Sequence, residues 1–334
     1  MRRIFKILDK NYIEKLFETK KNIYFPSLKN KKILDIRIKK RTPDWMKESC
    51  LASYEVVFSD YTKKVIWATA KIGESKKRAF KVLNYLYNNG FNKGAFQVRK
   101  PLNYIKEINA LFYEEVEGTP LELILEKKKL PLRLFRKLAE FLFRVHSLKL
   151  RKIKAKILKL NDYKECFREL KRLTPIYQPL FPSFKKIAFL KKLQKGNYLL
   201  HGDFYPSNII IRKNKLFLID FDKAGEGNFL IDLLAFYFWF ELPKIKPLKM
   251  APREIEECRD VFLEHYCKLS NFNLQGIKMD LKKFKVKIFL DCLHYVIFRA
   301  SRGWKKIDKK LKSEFRNSIK IVLKKINECI NECI

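Results

Sequence analysis

Two carboxylates and one carboxamide stand at a spacing that suits phosphoryl transfer. Asp203 lies in the segment His201–Asn208, His-Gly-Asp-Phe-Tyr-Pro-Ser-Asn, and Asn208 follows it five residues later. A second carboxylate, Asp220, belongs to the segment Ile219–Asp222, Ile-Asp-Phe-Asp. A carboxylate beside an acceptor hydroxyl can take its proton, whereas an amide oxygen and a second carboxylate are hard ligands for Mg²⁺. The combination is typical of phosphoryl-transfer sites; the alternative is an acidic turn without chemistry.

Short predicted strands would position these three side chains. Apolar and β-branched residues cluster at Tyr198–Leu200, Ile209–Ile211 and Leu216–Ile219, as is typical of strands. The first strand leads into the segment with Asp203, and the other two form a short hairpin. We therefore expect the turns that flank this hairpin to bring the polar residues together.

Three strand-like runs lie within the first 72 residues, which contain no glycine. Strands are predicted at Ile33–Ile38, Ala52–Phe58 and Val65–Ile72, and the last two form an antiparallel hairpin,. A helix is predicted over Ser75–Asn89, with Ser75 as its N-cap, and a further strand pair ends at Ala110–Val116,. Together these elements predict a five-stranded antiparallel sheet.

Gly118-Thr119-Pro120 interrupts the strand pattern, and helical periodicity dominates beyond it,. We therefore place a domain boundary at about residue 117. Residues 1–117 are predicted to form a small β-rich lobe, and residues 118–334 a larger helical lobe.

The sequence resembles the aminoglycoside phosphotransferase and choline kinase family. The resemblance rests on His201–Asn208 and Ile219–Asp222, on Phe112–Leu121, which is similar to the family's hinge segment, and on the helix end Arg144–Leu148. It covers most of the chain. It implies an α+β, bilobal protein-kinase-like fold, in which a small antiparallel sheet lobe binds the nucleotide against a larger helical lobe.

The resemblance also implies roles for individual residues. Asp203 would be the catalytic base, and Asn208 and Asp220 would bind Mg²⁺. His201 and Asp232 would support the loop that carries the base, with His201 holding its backbone and Asp232 bracing it.

A kinase of this kind also needs a cation for the α and β phosphates of the nucleotide, usually a lysine on the third strand. Lys71 is the candidate, and the hinge residues Glu115 and Val116 complete the predicted nucleotide site. The sequence departs from the family pattern because Ser75–Asn89 contains no Glu or Asp to pair with Lys71. Glu74 is an alternative partner, and Arg41–Ser49 is the candidate for a turn over the phosphates. A solvated lysine at a strand end is the alternative for Lys71.

The amino-acid composition indicates which kind of ligand and which cellular compartment to expect. The chain has 334 residues, with 74 Lys and Arg against 36 Asp and Glu, so its net charge is +38. Such a surplus favours anionic ligands. The seven cysteines are odd in number and scattered, and no signal peptide or membrane span is evident, so we expect a reducing, cytoplasmic compartment.

We therefore predict a Mg²⁺-dependent kinase that moves the γ-phosphoryl group of ATP or GTP to a hydroxyl of a small molecule. A sugar, an amino alcohol and an aminoglycoside-like compound remain open as the acceptor. One alternative is a kinase of an envelope glycolipid or lipopolysaccharide sugar, with weak association with an anionic membrane. Another is a non-catalytic kinase-like scaffold or a polyanion-binding protein. No module specific for nucleic acid is present, and the oligomeric state stays open.

Overall fold

The computed structural model describes residues 3–43, 48–73, 75–127, 130–150, 153–173, 175–243, 248–303 and 309–332. They divide into two compact units. The first unit combines residues 1–119 with residues 209–224, and the second combines residues 120–208 with residues 225–334. The hairpin segment 209–224 therefore packs with the N-terminal part of the chain. The assignment of nucleotide binding to residues 1–117 and of acceptor binding to residues 118–334 stays a prediction.

Among the described strands, only the first three along the chain have eight or more residues. The strands are β1 (Ile33–Lys40), β2 (Ser49–Phe58), β3 (Lys63–Lys71), β4 (Phe96–Val98), β5 (Pro101–Ile105), β6 (Ala110–Glu114), β7 (Thr119–Pro120), β8 (Tyr198–Leu200), β9 (Ile209–Arg212), β10 (Lys215–Leu218) and β11 (Gly225–Gly227).

The described α-helices lie mainly in the second unit. They are α1 (Lys10–Thr19), α2 (Lys21–Tyr24), α3 (Ser75–Asn88), α4 (Leu121–Leu125), α5 (Leu132–Ser147), α6 (Leu160–Leu173), α7 (Leu230–Trp239), α8 (Pro252–Ser270), α9 (Leu274–Phe284), α10 (Val286–Gly303) and α11 (Lys309–Glu332).

Five strands of the first unit form one antiparallel sheet in the order β1-β2-β3-β6-β5. Alternate residues of β3, namely Ile66, Ala68 and Ala70, are buried, because successive side chains of a strand point to opposite faces. The prediction of a five-stranded antiparallel sheet is thus confirmed, and α3 begins at the predicted residue and ends one residue earlier.

The helices that precede β1 were not predicted from the sequence. A 3₁₀-helix over Arg3–Leu8 precedes α1, and the Asp9 side chain caps α1 by accepting a hydrogen bond from the Tyr12 backbone N at 3.0 Å. Ile13, Leu16 and Phe17 recur at helical spacing and are buried,. The helix forms because this apolar stripe covers the buried face of the sheet, where the rings of Phe17 and Tyr54 lie 5.4 Å apart.

A second sheet in the first unit positions Asp220. Strand β10 pairs antiparallel with β9, as the predicted hairpin requires, and parallel with β4. Asp220 lies two residues after the end of β10, and it belongs to the same unit as Lys71.

The second unit is helical around an aromatic core. Phe236 of α7 packs against Phe262 of α8 with ring centroids 4.2 Å apart, and against Phe204 at 5.7 Å. Strands β8 and β11 form a two-stranded antiparallel ladder beside this core. The buried position of Phe204 anchors the polar segment that follows β8. Across the described ranges, no helix combines the length and apolarity needed to cross a membrane.

Candidate active site

Residues His201–Asn208, here called the Asp203 loop, follow β8 and are held together by hydrogen bonds to a backbone carbonyl group within the loop. The carbonyl oxygen of Asp203 accepts hydrogen bonds from the Tyr205 backbone N at 2.7 Å and from Asn208 Nδ2 at 2.9 Å. Asn208 Nδ2 also lies 3.5 Å from Asp203 Oδ2. Because the amide nitrogen of Asn208 is turned toward the loop, its oxygen is the atom left to bind a cation.

Asp232, in the first turn of α7, contacts the start of the Asp203 loop. Its carboxylate is fully buried and accepts hydrogen bonds from the backbone N of His201 at 2.8 Å and of Gly202 at 2.7 Å. A buried carboxylate is stable only when such donors surround it. The His201 side chain is itself fully buried, with its ring 6.3 Å from that of Phe204.

His146 of α5 extends this network to α8. Its Nε2 lies 3.1 Å from Asp232 Oδ2, and its Nδ1 lies 2.7 Å from the Tyr266 hydroxyl. Burial raises the pKa of Tyr266, and the charge of Asp232 adds to this effect. The hydroxyl keeps its proton and so can donate to Nδ1, and because a carboxylate only accepts hydrogen bonds, Nε2 is the nitrogen that donates to Asp232. The sequence placed His146 in the family's helix-end motif but did not predict these contacts.

Residues Asp220–Asp222, here called the Asp220 loop, begin with strained backbone. Asp220 has φ +63°, a left-handed conformation that Asp and Asn tolerate better than most residues,. Two residues later, the Asp222 carboxylate pairs with two lysines: Oδ2 lies 3.2 Å from Lys71 Nζ, and Oδ1 lies 2.6 Å from Lys76 Nζ. The loop is therefore joined to both β3 and the first turn of α3.

Electrostatics keep this cluster ionised. Burial opposes the charged form of Asp222, but Lys76 and Lys71 outweigh it and hold the pKa of that carboxyl below its ordinary value. Burial likewise opposes the charged form of Lys76, yet the carboxylates of Asp222 and Asp220 hold its pKa above the ordinary value. Both members of the Lys76–Asp222 pair are thus charged near neutral pH.

The predicted hinge residues Glu115 and Val116 follow β6. The exposed Glu115 side chain accepts a hydrogen bond from Trp67 Nε1 at 3.2 Å. Both residues stand just beyond the last pair of the β3–β6 ladder, which is Ile66 with Glu114.

The structure distributes the predicted site residues over both units. The second unit holds Asp203, Asn208, His201 and Asp232, and the first unit holds Lys71, Glu115, Val116 and Asp220. Contacts join Asp203 to Asn208 and Asp232 to the backbone of His201, whereas the carboxylate beside Lys71 is that of Asp222. The roles of these residues stay predictions.

The sequence analysis did not predict the contacts of Asp222 with Lys71 and Lys76. The absence of an acidic residue in α3 was the available signal for Asp222, because it left Lys71 in need of another partner. Glu74, the alternative partner, lies outside the described residues, as do residues 44–47 of the segment predicted to cover the phosphates.

The predicted metal ligands Asn208 and Asp220 belong to different units, and their binding of Mg²⁺ stays a prediction. Within the described ranges, no group of three or more His, Cys, Asp or Glu side chains is placed to hold a metal. Mg²⁺ is commonly held by one or two protein oxygens and completed by water and substrate phosphates. The Asn208 amide oxygen and the Asp220 carboxylate are donors of this kind.

Solved structures of similar fold include several phosphotransferases. The chain is similar to aminoglycoside phosphotransferase APH(2'')-Ib bound to ADP, with TM-score 0.55 and 17% identity over 93% of this chain and 99% of that one. It is also similar to choline kinase from Cryptosporidium parvum Iowa II, with TM-score 0.62 and 13% identity over 96% and 95% of the two chains. The fold is therefore the α+β, protein-kinase-like fold that the sequence predicted.

A family model described as the phosphotransferase enzyme family matches residues 61–272, which is more than half of the chain. The match includes both the Asp203 loop and the Asp220 loop. The chain belongs to this family, and the predictions of family and of enzyme class are confirmed: it is a phosphotransferase. A comparison with curated protein sequences finds no significant match.

Proposed function

We propose that the protein is a Mg²⁺-dependent kinase that transfers the γ-phosphoryl group of ATP or GTP to a hydroxyl of a small molecule. The observation that carries the proposal is the Asp203 loop. Its backbone is held by the buried Asp232 carboxylate, and Asn208 is bonded to the carbonyl of Asp203. Such support presents a carboxylate and an amide oxygen in a defined orientation, as phosphoryl transfer requires.

In this proposal each group has one task. Asp203 accepts the proton of the acceptor hydroxyl, which makes the oxygen a better nucleophile. Asn208 and Asp220 hold Mg²⁺, which neutralises charge on the phosphates when it is bound. Lys71 contacts the phosphates, and the backbone of Glu115 and Val116 offers hydrogen bonds to the base of the nucleotide.

Solved structures of similar fold support a nucleotide co-substrate. They include an aminoglycoside phosphotransferase bound to ADP, a ternary complex of another with streptomycin and ATP, and a third with GDP and kanamycin. Both ATP and GTP therefore belong in the assay. Streptomycin and kanamycin are both aminoglycosides, whereas another similar structure is that of a choline kinase, so the acceptor must be found by experiment.

The test is a screen of acceptors with γ-³²P-labelled ATP and GTP in the presence of Mg²⁺. Sugars, amino alcohols and aminoglycosides form the small-molecule arm. We expect label to appear in at least one hydroxyl compound with the unaltered chain and not with Asp203→Asn. If no compound is labelled and nucleotide does not bind, the non-catalytic scaffold is the better interpretation.

A second candidate acceptor is the sugar of an envelope glycolipid. Residues 282–325 contain 15 Lys and Arg against three Asp and Glu. Tyr295 and Phe298, which lie three residues apart on α10, are 57% and 43% exposed. Aromatic and basic side chains together favour the interface of an anionic membrane. Detergent-solubilised glycolipids therefore form the second arm of the screen.

A further inference from the structure

The lysine proposed for phosphate binding lacks the usual acidic helix partner. Kinases of this fold orient the third-strand lysine with a carboxylate on the following helix. Here that helix is α3, and the predicted helix segment Ser75–Asn89 contains neither Glu nor Asp. Its first turn carries a buried lysine, Lys76, so the charge on the helix is the reverse of the usual one.

Asp222 makes the contacts that take the place of the missing helix carboxylate. Its two carboxylate oxygens each bind a different lysine, Oδ2 contacting Lys71 and Oδ1 contacting Lys76. Its backbone oxygen accepts a third hydrogen bond from Arg78 Nη1 at 3.3 Å. Two residues of α3 and one of β3 therefore converge on a single residue of the Asp220 loop.

Lys71 and Lys76 differ in solvent exposure, and this difference indicates a separate role for each. The side chain of Lys76 is 8% exposed and that of Asp222 is 14% exposed, whereas that of Lys71 is 40% exposed. Lys76 can reach little besides the carboxylates, so it serves to hold α3 to the loop. Lys71 keeps two further ammonium hydrogens and access to solvent, so it can bind an anion while Asp222 fixes its position.

We propose that Asp222 is the positioning residue for Lys71, taking the place of the helix carboxylate, and that Lys76 uses the same carboxylate to tie α3 to the Asp220 loop. This inference rests on the proposed function, because it assumes that Lys71 binds nucleotide phosphates. A competing role is simple neutralisation of two neighbouring lysines. The two roles predict opposite results, since removing a neutralising charge strengthens the binding of an anion, whereas removing a positioning group weakens it.

The test measures the affinity of the whole chain for Mg²⁺–ATP by calorimetric titration, without any acceptor. We expect Asp222→Asn and Lys71→Met each to weaken binding about tenfold or more, the amount associated with one hydrogen bond to a charged group. Combined in one chain, they should weaken it no more than Lys71→Met alone, because Asp222 acts through Lys71. Asp222→Glu should restore part of the affinity. Lys77→Met, at an exposed neighbour on α3, is the matched control and should stay within about twofold.

Other outcomes overturn the inference in distinct ways. Unchanged or tighter binding by Asp222→Asn would mean neutralisation, and additive losses in the double variant would mean that Asp222 acts independently of Lys71. If Asp222→Asn does not fold, Lys76→Met serves instead: it should weaken binding less than Lys71→Met, and equal or absent effects would contradict the division of tasks.

An unaltered chain that binds no nucleotide would overturn the proposed function as well. Weakening by Lys71→Met alone would preserve that function and reject only the role of Asp222.

Discussion

Asp203 and Asp220 carry different parts of the proposed reaction, and single substitutions separate them. Asp203→Asn should lower phosphoryl transfer about 10²- to 10⁴-fold, the usual contribution of a general base. Nucleotide affinity should stay within a few-fold of the unaltered chain, because the base touches the acceptor. Glu165→Gln, at an exposed position of α6, is the control. Unchanged turnover of any accepted substrate by Asp203→Asn would contradict the assignment.

Asp220 should instead control the effect of Mg²⁺ on nucleotide binding. Asp220→Asn is the informative variant because Asn tolerates the left-handed φ of +63°, whereas Ala would add backbone strain,. We expect activity to be lost and the Mg²⁺-dependent part of nucleotide affinity to fall, since an amide is a weaker ligand for a hard cation than a carboxylate. Calorimetry with and without Mg²⁺ checks this. An unaltered chain whose nucleotide affinity ignores Mg²⁺ would favour a non-catalytic scaffold.

At the scale of elements, the Asp203 loop depends on its hydrogen bonds to α7. In Asp232→Asn, the amide nitrogen would face a backbone N–H of His201 or Gly202, so at least one buried donor loses its acceptor. An unsatisfied buried group costs about 1–3 kcal/mol. We expect the free energy of unfolding and the rate of transfer to fall together, as measured by denaturant titration and by turnover. Glu257→Gln, exposed on α8, should change neither, and full stability in Asp232→Asn would contradict the bracing role.

The turn after β6 offers a test of packing between elements of the first unit. Gly118 has φ +142°, and a Cβ there would lie 2.6 Å from both Ile210 Cγ2 and the Ile211 backbone oxygen. Gly118→Ala should therefore cost backbone strain plus about 1–3 kcal/mol of overpacking. Gly94→Ala is the matched control, because Gly94 has φ +79° but no atom within 4 Å of the added Cβ. Equal losses of unfolding free energy in both variants would show that the β9 backbone yields.

At the scale of the whole molecule, the net charge of +38 predicts binding to a polyanion, and an experiment must identify which one. If the charge attracts an anionic membrane, the protein should co-sediment with vesicles of anionic lipid at low salt and be released as salt rises. Exposed charges are screened over about 8 Å at physiological ionic strength. Vesicles of neutral lipid should bind little.

Duplex and single-stranded DNA form the comparison arm of this experiment. Weak, salt-reversible binding to vesicles and DNA alike would show that the charge is only a solvated surface. Tight, salt-resistant binding to DNA without phosphoryl transfer in any mixture would contradict the kinase interpretation. Nucleic-acid binding that is unaffected by Asp220→Asn would further separate it from the nucleotide site.

Local patterns in the sequence were sufficient for much of the fold. The strands of the five-stranded sheet, helix α3 and the hairpin of β9 and β10 were predicted within a few residues, because alternation and helical periodicity report burial directly. The spacing of Asp203, Asn208 and Asp220 identified the family for a similar reason, since these groups belong to short motifs. The N-terminal helix was missed, although Asp9 and the stripe of Ile13, Leu16 and Phe17 predict it.

The ion pairs that organise the site were decided only by tertiary structure. Asp222 is separated from Lys71 and Lys76 by 151 and 146 residues, and the chain offers 74 Lys and Arg as partners. Sequence spacing cannot select among so many charges, because an ion pair depends on which strands and helices pack together. Sequence spacing likewise could not predict the contacts of His146 with Tyr266 and Asp232, because these contacts form only when α5, α7 and α8 pack around a common core. By itself, the sequence identified the family and the candidate reacting groups, whereas packing determined which buried charged residues contact the loops that carry them.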